Sequence, residues 1–478
     1  MTATPIEADY LVVGAGAMGL AFSDVILDRT GASLAIVDRL DRPGGHWNHA
    51  YPFVRLHQPS AYYGVNSRPL GSDHVDRVGR NCGMLELASA QEVLAYFDQV
   101  MRQHFLPSGR VRYFPQCEYL GGGRFRSLAN GETVEIRAEK HVDSTYMNVK
   151  VPQIDPPKFR VDDGVECVPP NALAKLARVY EKFVVIGGGK TAIDTCLYLL
   201  DLGVAPDTIG WIVPREAWLL DRAKVQPDNL MDNILKQVTA IAESTSLGDM
   251  FSRVEETGAL VRIDRSVEPT MYRCATVSQA EVEDLRAIRD VVRMGRVKSL
   301  APGRVTLDGG SVSYPVNSLY LNCTSDGLEK RPKRPVFDGR NITLQAVRPC
   351  QQLFAAALIA YVESSFADDA TKNGLCEATP HPDTQFDYLR MIRDTLLGQL
   401  KWASHPELLA WLASARLDGF TTPPVAELLA SAGQPSSAAT FAMLQAALGK
   451  IDAYLREEPL TSATTRPTAP PRATSSTA

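Results

Sequence analysis

The segment that decides the fold is YLVVGAGAMGLAFSDVILDRTGASLAIVDRLDRPGGHW, from Tyr10 to Trp47. It contains an apolar run that ends at Val13, the turn GAGAMG at residues 14–19, and a second apolar run that ends at Asp38. This order predicts a strand, a tight glycine turn, a helix, a second strand and an acid, which is the arrangement of a dinucleotide-binding unit. A glycine turn alone is weak evidence because such turns also occur without a ligand, but the flanking strands and the acid favour the binding interpretation.

Each candidate residue of this first site has a physical role. Gly14 permits the sharp turn, Gly16 lets the backbone approach a pyrophosphate, and Gly19 lets the helix pack closely on the strand. The helix N-terminus offers N–H groups and a partial positive charge to the phosphates. Asp38 can accept hydrogen bonds from a ribose hydroxyl and would repel a 2′-phosphate, which favours FAD or NAD over NADP; Arg39 follows it directly and is a further candidate.

The composition limits the classes of function. A chain of 478 residues exceeds one typical core, so two or three domains are expected. Its 45% hydrophobic and 22% charged content is ordinary for a globular protein. The net charge of −5 gives no excess of basic residues of the kind that binds nucleic acid. The longest apolar run, Leu353–Val362, is too short to span a bilayer, and Met1–Pro5 lacks the features of a signal peptide. We therefore expect a cytoplasmic protein with no membrane partner.

The cysteine spacing argues against dithiol chemistry. None of the eight cysteines forms a C-x-x-C or C-x-x-x-x-C pair, so disulfide reductase chemistry is not expected. The sequence predicts free thiols in a reducing compartment. These cysteines are Cys82, Cys117, Cys167, Cys196, Cys274, Cys323, Cys350 and Cys376.

The loop after Asp38 adds a second element to the first site. It reads PGGHW from Pro43 to Trp47, and its glycines allow the backbone to pass close to a flat ligand that Trp47 could cover. An ordinary glycine turn with a packed tryptophan is the alternative. Together, the G-x-G-x-x-G turn, the acid and the G-G-x-W loop resemble the flavin-dependent monooxygenases with separate FAD and NADP domains, which include N-hydroxylating, Baeyer–Villiger and dimethylaniline-type enzymes. The resemblance implies FAD at the first site, with Gly45, His46 and Trp47 beside the flavin.

One histidine is the candidate catalytic residue. The segment Tyr51–Ser60 resembles the part of dimethylaniline-type enzymes that approaches the flavin, where a leucine precedes N-x-P, and His57 stands at the asparagine position. His57 could hydrogen-bond the flavin or nicotinamide, or move a proton near pH 7; a structural histidine bonded to the backbone is the alternative. His46 and His49 form an H-x-x-H without further ligands at metal spacing, so no metal site is expected.

A second nucleotide site is predicted downstream. The apolar run Lys182–Ile186 precedes a G-x-G-x-x-A turn and a helical segment, and the next apolar run leads to Arg215. Guanidinium suits a phosphate better than a neutral hydroxyl, so this site is interpreted as binding NADPH, with NADH or a surface arginine without ligand as the alternatives. The other candidate contacts are Gly187, Gly189, Lys190 and Thr191.

The predicted fold class is α/β, with two Rossmann-like dinucleotide-binding domains. The FAD-binding domain covers 1–165 and 300–370, and the NAD(P)-binding domain covers 170–299 with a largely helical insertion at 216–296. Helices are expected at Leu230–Ala242, Leu247–Glu256 and Gln279–Val292. A C-terminal helical region at 380–458, which packs externally or forms a homodimer, precedes a disordered tail at 459–478.

Two further cofactor contacts come from the expected return to the first domain. The apolar run Leu319–Thr324 is interpreted as a strand of that domain, after which Asp326 either contacts FAD or caps a turn. Gln351 precedes an apolar helix that, in the resembling folds, directs its N-terminus at the flavin; an ordinary core helix is the alternative.

The resemblance implies an enzyme, namely an FAD- and NADPH-dependent monooxygenase that uses O₂ and a flavin C4a-peroxide to oxygenate a small molecule. The F-x-G-x-x-x-H element of that group is absent, since residues 168–175 read VPPNALAK. The alternatives are therefore an NAD(P)H:acceptor reductase or dehydrogenase without oxygen insertion, and a non-catalytic redox-responsive flavoprotein.

Overall fold

Two separate sheets, whose central strands are parallel, carry the two glycine turns. The computed structural model describes residues 5–176, 178–227, 230–421, 423–431 and 433–459. The predicted disordered tail, apart from Pro459, lies outside the described residues. Among the described helices, none is both long and apolar enough to cross a membrane.

The elements are numbered in chain order. The first strands are β1 (Ile6–Val13), β2 (Leu34–Val37), β3 (Val111–Phe114), β4 (Cys117–Gly121), β5 (Arg124–Ser127), β6 (Thr133–Asp143), β7 (Val149–Lys150), β8 (Arg160–Val161), β9 (Cys167–Val168), β10 (Lys182–Ile186) and β11 (Ile209–Ile212). The later strands are β12 (Ala217–Asp221), β13 (Leu260–Val261), β14 (Met271–Val277), β15 (Asp290–Val292), β16 (Val297–Ala301), β17 (Arg304–Leu307), β18 (Gly310–Ser313), β19 (Ser318–Asn322), β20 (Gly327–Leu328), β21 (Phe337–Asp338) and β22 (Asn341–Thr343). The helices are α1 (Ala17–Arg29), α2 (Ala90–Val100), α3 (Lys190–Asp201), α4 (Leu230–Glu243), α5 (Leu247–Glu256), α6 (Gln279–Arg286), α7 (Gln352–Ser365), α8 (Asp369–Leu375), α9 (Gln385–Ala403), α10 (Pro406–Ser414), α11 (Pro423–Ala430) and α12 (Ala438–Arg456).

The first sheet has β1 near its centre. Its strand order is β21-β22-β6-β1-β2-β3, and the β4–β5 hairpin joins it through β6. Because β1 is parallel to both β2 and β6, Val12 lies opposite Ile36 and Val142. These side chains pack with α1 and α7 in one core, which explains why β1 and α7 are apolar runs. The strand order reverses at β1, where open α/β sheets bind their ligands.

The second sheet repeats this plan. Its order is β15-β11-β10-β19-β9 and every pair in it is parallel. β10 lies between β11 and β19, so the turn that follows β10 also stands where the strand order reverses. The two sheets confirm the predicted α/β fold class with two Rossmann-like units.

The strand pairing corrects the expected return to the first domain. The run predicted to rejoin the first sheet is β19, which pairs with β10 in the second sheet. The meander β16–β17–β18 also packs there, because Leu300 and Val305 share a core with Val184. A fully buried apolar strand suits either sheet, and local sequence does not encode its partner. Among the described strands that follow β19, those that join the first sheet are β21 and β22.

The insertion is less helical than predicted. Its helices α4 and α5 match the prediction closely, but β13, β12 and β14 form a three-stranded sheet. The segment Gln279–Val292, predicted as one helix, is the short helix α6 followed by β15, which extends the second sheet beside β11. The pairing of β15 with β11 supplies hydrogen bonds that override the local helical pattern.

The C-terminal region is helical, as predicted. Helix α12 packs on α4, and α9 packs on β14 of the insertion. Their shared core includes Trp218, which stacks on Phe251 with ring centroids 5.1 Å apart. The C-terminal helices therefore cover the insertion within this chain; the expected homodimer stays a prediction.

Candidate functional site

The first glycine turn joins β1 to α1 by close backbone packing. The Gly14 N–H donates to the Val37 carbonyl at 2.8 Å, which ties the turn to β2. A Cβ atom added to Gly19 would lie 2.2 Å from the Gly14 carbonyl oxygen, so only glycine fits there. Helix α1 begins after Gly16, which has no side chain to cap the first N–H groups. The turn therefore has the geometry that the sequence predicted, with helix N–H groups available to an anion.

Asp38 is bonded to the turn itself. Its Oδ2 accepts from the Ala15 N–H at 2.5 Å and its Oδ1 from the Leu40 N–H at 2.7 Å. Burial raises the pKa of this carboxyl, and the two backbone hydrogen bonds oppose the rise. The neighbouring Arg39 is exposed. A bond from Asp38 to a ribose stays a prediction, and it would have to add to or replace the bond to Ala15.

The Gly44–Gly45 loop lies against the glycine turn. The Gly44 N–H donates to the Ala15 carbonyl at 2.9 Å. A Cβ atom added to Gly45 would lie 3.0 Å from the Gly16 Cα, so the two loops meet backbone to backbone. A ligand at the turn would therefore contact both loops.

The aromatic side chains of this loop are Trp47, which is buried, and His46, which is half-buried. Trp47 is 8% exposed and its Nε1–H donates to the Tyr63 hydroxyl at 2.6 Å. The His46 ring stacks on Trp47, with centroids 5.4 Å apart. Burial, with a smaller effect of His49, lowers the pKa of His46 to about 4, so its ring is neutral at pH 7. Contact of either ring with flavin stays a prediction.

His57 lies between the first unit and the insertion. Its Nδ1 accepts from the Thr276 N–H at 3.1 Å, and its carbonyl accepts from Arg222 Nε at 3.1 Å. Burial, together with the charges of Lys190 and Arg222, lowers the pKa of His57 to about 3. At this pKa the ring stays neutral near pH 7, which does not favour proton transfer by His57; its contact with flavin or nicotinamide stays a prediction. The alternative of a structural histidine bonded to the backbone fits the contacts.

The second glycine turn leaves space in front of α3. Gly187 has φ 137° and a Cβ there would lie 2.6 Å from the Cys323 carbonyl oxygen, so glycine is needed. Helix α3 begins after Gly189, and no atom lies within 4 Å of a Cβ added to Gly189. The N-terminus of α3 is thus open to a ligand at the edge of the sheet.

Two candidate residues on α3 make contacts within the protein. The Lys190 ammonium pairs with the Asp194 carboxylate one turn along the helix. The Tyr51 hydroxyl donates to the same carboxylate at 2.7 Å, which links the first unit to α3. Thr191 accepts a hydrogen bond from Thr195 through its carbonyl. A role of Lys190 at a pyrophosphate or ribose stays a prediction.

Arg215 belongs to a basic cluster that sequence reasoning missed. Its Nη2 lies 2.8 Å from Asp383 Oδ1, which Arg273 Nη2 also contacts at 2.5 Å, while Lys330 Nζ lies 2.6 Å from Oδ2. Although burial acts to raise the pKa of Asp383, hydrogen bonds from Arg215 and Lys330 and the charge of Arg273 hold it well below its usual range. Three cations around one carboxylate leave a net charge of +2 beside the second glycine turn.

Two cavities adjoin these sites. One of about 470 Å³ lies at the seam of the two units, where Arg55, Lys190 and Tyr198 contribute to its wall. The other, of about 100 Å³, lies between the turn that precedes α7, the insertion and α9, with Arg348 and Cys350 in its wall. The wall of the second cavity is mostly apolar, with Lys224 and Arg348 as the cations among its described residues.

The last two candidate contacts are bonded to other side chains. Asp326 pairs with Lys158 at 2.5 Å near the β7–β20 ribbon. Gln351 precedes α7 and its Oε1 accepts from Arg348 Nη1 at 2.9 Å. Their contacts with FAD stay predictions.

One pair of cysteines contradicts the prediction of free thiols. Cys274 and Cys350 form a disulfide with Cα atoms 6.3 Å apart, while the other six cysteines are free. The two residues are 76 positions apart, one on β14 and one before α7, so no local spacing could have indicated the pair.

Solved structures with a similar fold include flavin-dependent enzymes. No family model matches this chain. A flavin-containing monooxygenase from Stenotrophomonas maltophilia has 17% identity and a TM-score of 0.41, over 72% of this chain and 86% of that one. A cyclohexanone monooxygenase from Rhodococcus sp. Phi1, bound to NADP+, has 15% identity and a TM-score of 0.44, over 75% and 85%. TM-scores below 0.5 support no conclusion about activity.

Sequence comparison is more decisive. A ferredoxin–NADP reductase from Saccharopolyspora erythraea is 40% identical over 70 residues, which cover 15% of this chain and 21% of that protein. Uncharacterized protein Rv2000 from Mycobacterium tuberculosis and Uncharacterized protein Mb2023 from Mycobacterium bovis are each 52% identical over 421 residues, which cover 87% of this chain and 78% of theirs. The chain therefore belongs to the family that includes these two mycobacterial proteins.

Proposed function

We propose that this chain is an FAD- and NADPH-dependent oxidoreductase, and more specifically a monooxygenase that acts on a small molecule. The observation that carries the proposal is the pair of sheets with parallel central strands, each with a glycine turn and an open helix N-terminus where the strand order reverses. One site for the flavin and one for the hydride donor is the simplest use of two such turns in one chain.

The first site fits FAD. The backbones of Gly16 and Gly45 meet at van der Waals distance, so a side chain on either would fill the cradle that a pyrophosphate needs. The acid at the end of β2 is Asp38, whose charge disfavours a 2′-phosphate. Gly14, Gly16, Gly19, Gly45 and Asp38 would hold the dinucleotide.

The second site fits NADPH. Arg215 follows β11 directly, and the space beside Gly189 admits a pyrophosphate at the N-terminus of α3. The net charge of +2 on the Arg215, Arg273, Lys330 and Asp383 cluster matches a phosphate dianion. NADH lacks that phosphate and would gain nothing from the cluster.

FAD, when bound, would supply the redox chemistry that the side chains lack. The protein would position the two cofactors and exclude water from the reacting atoms. Neutral His57 would hold Thr276 of β14 in place with its Nδ1 and present a protonated Nε2 as a donor. The N-terminus of α7 would favour negative charge near Gln351.

The alternative is an NAD(P)H:acceptor reductase that inserts no oxygen. The disulfide in the wall of the smaller cavity favours it, because a disulfide is an electron acceptor. A non-catalytic flavoprotein is the remaining alternative.

Oxygen labelling tests the proposal. The purified protein should be yellow, and NADPH should bleach the flavin without air. Turnover under ¹⁸O₂ with a panel of small amines, sulfides and ketones should then place one labelled oxygen in a product. Hydrogen peroxide without a labelled product would contradict the monooxygenase and support a reductase. A flavin that neither NADPH nor NADH bleaches would contradict both enzymes.

A further inference from the structure

The Cys274–Cys350 disulfide joins two parts of the fold that meet at the smaller cavity. Cys274 lies on β14 of the insertion, and Cys350 lies in the turn that precedes α7 of the first unit. The Cα separation of 6.3 Å is within the range of protein disulfides. The bond therefore fixes the Arg348–Gln351 turn to the insertion.

Both cysteines have a backbone conformation that side chains disfavour. Cys274 has φ 58° and Cys350 has φ 64°, in the left-handed region. The other described non-glycine residues with positive φ are Asp73, Gln116 and Asn148, of which asparagine and aspartate tolerate that region. Backbone strain of this kind persists when the surrounding structure imposes it, and it concentrates at functional sites. Here each residue with a disfavoured φ angle lies at one end of the same covalent bond.

The two sulfurs differ in access. Cys350 is partly exposed and contributes to the wall of the cavity, whereas Cys274 is 3% exposed within the core of the insertion. A reagent in the cavity would therefore meet Cys350 first. Attack at a disulfide needs an approach to one sulfur by a thiolate, which is an anion.

The cavity is suited to an anionic reagent. Lys224 and Arg348 are in its wall, and no described residue of that wall is acidic. Arg348 is 1% exposed, pairs through Nη1 with buried Asp418 at 2.7 Å and lies over the Phe354 ring, so its charge is largely balanced within the protein. The half-buried Lys224 is therefore the cation of the described wall that would attract an incoming thiolate.

We propose that Cys274–Cys350 is a thiol–disulfide exchange site for small anionic thiols, which enter through this cavity and attack the sulfur of Cys350. This proposal is independent of the flavin and of the proposed oxygenation.

The exchange balances with two equivalents of thiol. A thiolate forms a bond to Cys350 Sγ, the Cys274–Cys350 bond breaks, and the Cys274 thiolate takes a proton from solvent. A second thiolate then attacks the sulfur of the bound thiol, which releases the oxidised small-molecule disulfide and leaves Cys350 as a thiolate that is protonated in turn. Two thiols are thereby oxidised to one disulfide, and the protein disulfide is reduced to two thiols.

Rates of reduction in the folded protein test the site. We would compare 3-mercaptopropionate, neutral 2-mercaptoethanol and cationic cysteamine by trapping protein thiols with an alkylating agent and mass spectrometry. Each reduction rate is divided by the concentration of the reagent's thiolate form. The result is then divided by the corresponding value for the urea-unfolded protein. The native protein should begin with six alkylated cysteines and reach eight. The anionic thiol should reduce the disulfide about tenfold faster than the cationic thiol, because of the local cations. The net charge of −5 would produce the opposite order at an average surface site.

Variants locate the attack. Lys224→Met should reduce the preference for the anionic thiol severalfold, and Lys236→Met, on the outer face of α4, should not. In Cys274→Ser the Cys350 thiolate should attack 3,3′-dithiodipropionate, the disulfide of the anionic thiol, to form a mixed disulfide with release of one 3-mercaptopropionate, whereas in Cys350→Ser the buried Cys274 should react with it much more slowly. The wild-type rates keep the test valid if either serine variant fails to fold.

Three results would overturn the proposal. Eight free thiols in the untreated protein would show that the disulfide is absent in solution. Reduction that occurs only after unfolding would make the bond purely structural. If the cationic thiol reduced the disulfide as fast as the anionic thiol, or faster, the cavity would not select anionic thiols.

Discussion

At the first glycine turn, Asp38 at the end of β2 accepts a hydrogen bond from the turn itself. At the second turn, Arg215 after β11 pairs instead with Asp383, which lies 168 residues further along the chain. The two turns otherwise share their strand order and their open helix N-termini. On the proposed assignment, the glycine pattern makes a dinucleotide site, while the residues around the strand end select the dinucleotide. It also indicates that a site can recruit charge from segments that lie far away in sequence.

The largest effect is expected from filling the first turn. Gly19→Ala should place a Cβ atom against the Gly14 carbonyl oxygen, so we expect a loss of about 1–3 kcal/mol in the free energy of unfolding and loss of bound FAD. Urea unfolding and the flavin content of the purified protein measure this. Gly31→Ala is the matched control, since no atom lies within 4 Å of its Cβ position. Equal behaviour of the two variants would contradict the close packing at Gly19.

The same change at the second site should separate binding from folding. Gly189→Ala meets no protein atom, so the free energy of unfolding should change little. Its methyl group would instead occupy space that a pyrophosphate needs, and the Kd for NADPH should rise about tenfold, as measured by fluorescence titration. A variant that binds NADPH normally would show that the cofactor does not approach this turn.

A smaller and more selective effect is expected at Arg215. Arg215→Ala should raise the KM for NADPH by about ten- to a hundredfold, which corresponds to the ~1.5–3 kcal/mol of a charge-assisted hydrogen bond, and should leave the KM for NADH nearly unchanged. Steady-state kinetics with both donors measure the change. Arg39→Ala, which removes an exposed arginine at the first site, should alter neither value. Equal effects of Arg215→Ala on both donors would refute its assignment to the phosphate.

The pH dependence of stability should reveal Asp383. Its carboxyl has a folded-state pKa below the unfolded value near 4, so its contribution to stability is present above that value and is lost as the pH falls below it. Unfolding measured between pH 7 and 2.5 should show this loss in the wild type and less of it in Asp383→Asn. Parallel curves would mean that the basic cluster does not depend on this carboxylate.

The smallest effect on activity is expected at His57. Because its pKa is about 3, the ring stays neutral from pH 6 to 8, and His57→Asn should leave the pH profile of NADPH oxidation unchanged in that range. Its stability contribution is present above the unfolded pKa of about 6.5 and is lost as the pH falls towards 3, so the variant should resist acid better than the wild type. A shifted pH–rate profile would restore a proton-transfer role.

The local part of both sites could be predicted from the sequence. The strands β1 and β10, the turns that follow them and the helices α1 and α3 are encoded by contiguous residues, so periodicity and glycine spacing were sufficient.

The long-range part could not be predicted, for a physical reason. The apolar run of β19 is compatible with either sheet, and only tertiary packing assigns it to the second. Arg273, Lys330 and Asp383 come from three segments whose approach to Arg215 has no signature in the local sequence. The low pKa of His57 could not be predicted either, because burial, which sets it, depends on elements that are distant along the chain.

The central claim is that the first site holds the flavin and the second holds the donor. The most direct test is an anaerobic titration of the purified protein with NADPH and then NADH, followed by flavin absorbance. The account predicts about one FAD for each chain, bleached by one equivalent of NADPH at a much lower concentration than by NADH. A protein without flavin, or a flavin that both donors reduce at equal concentrations, would contradict it.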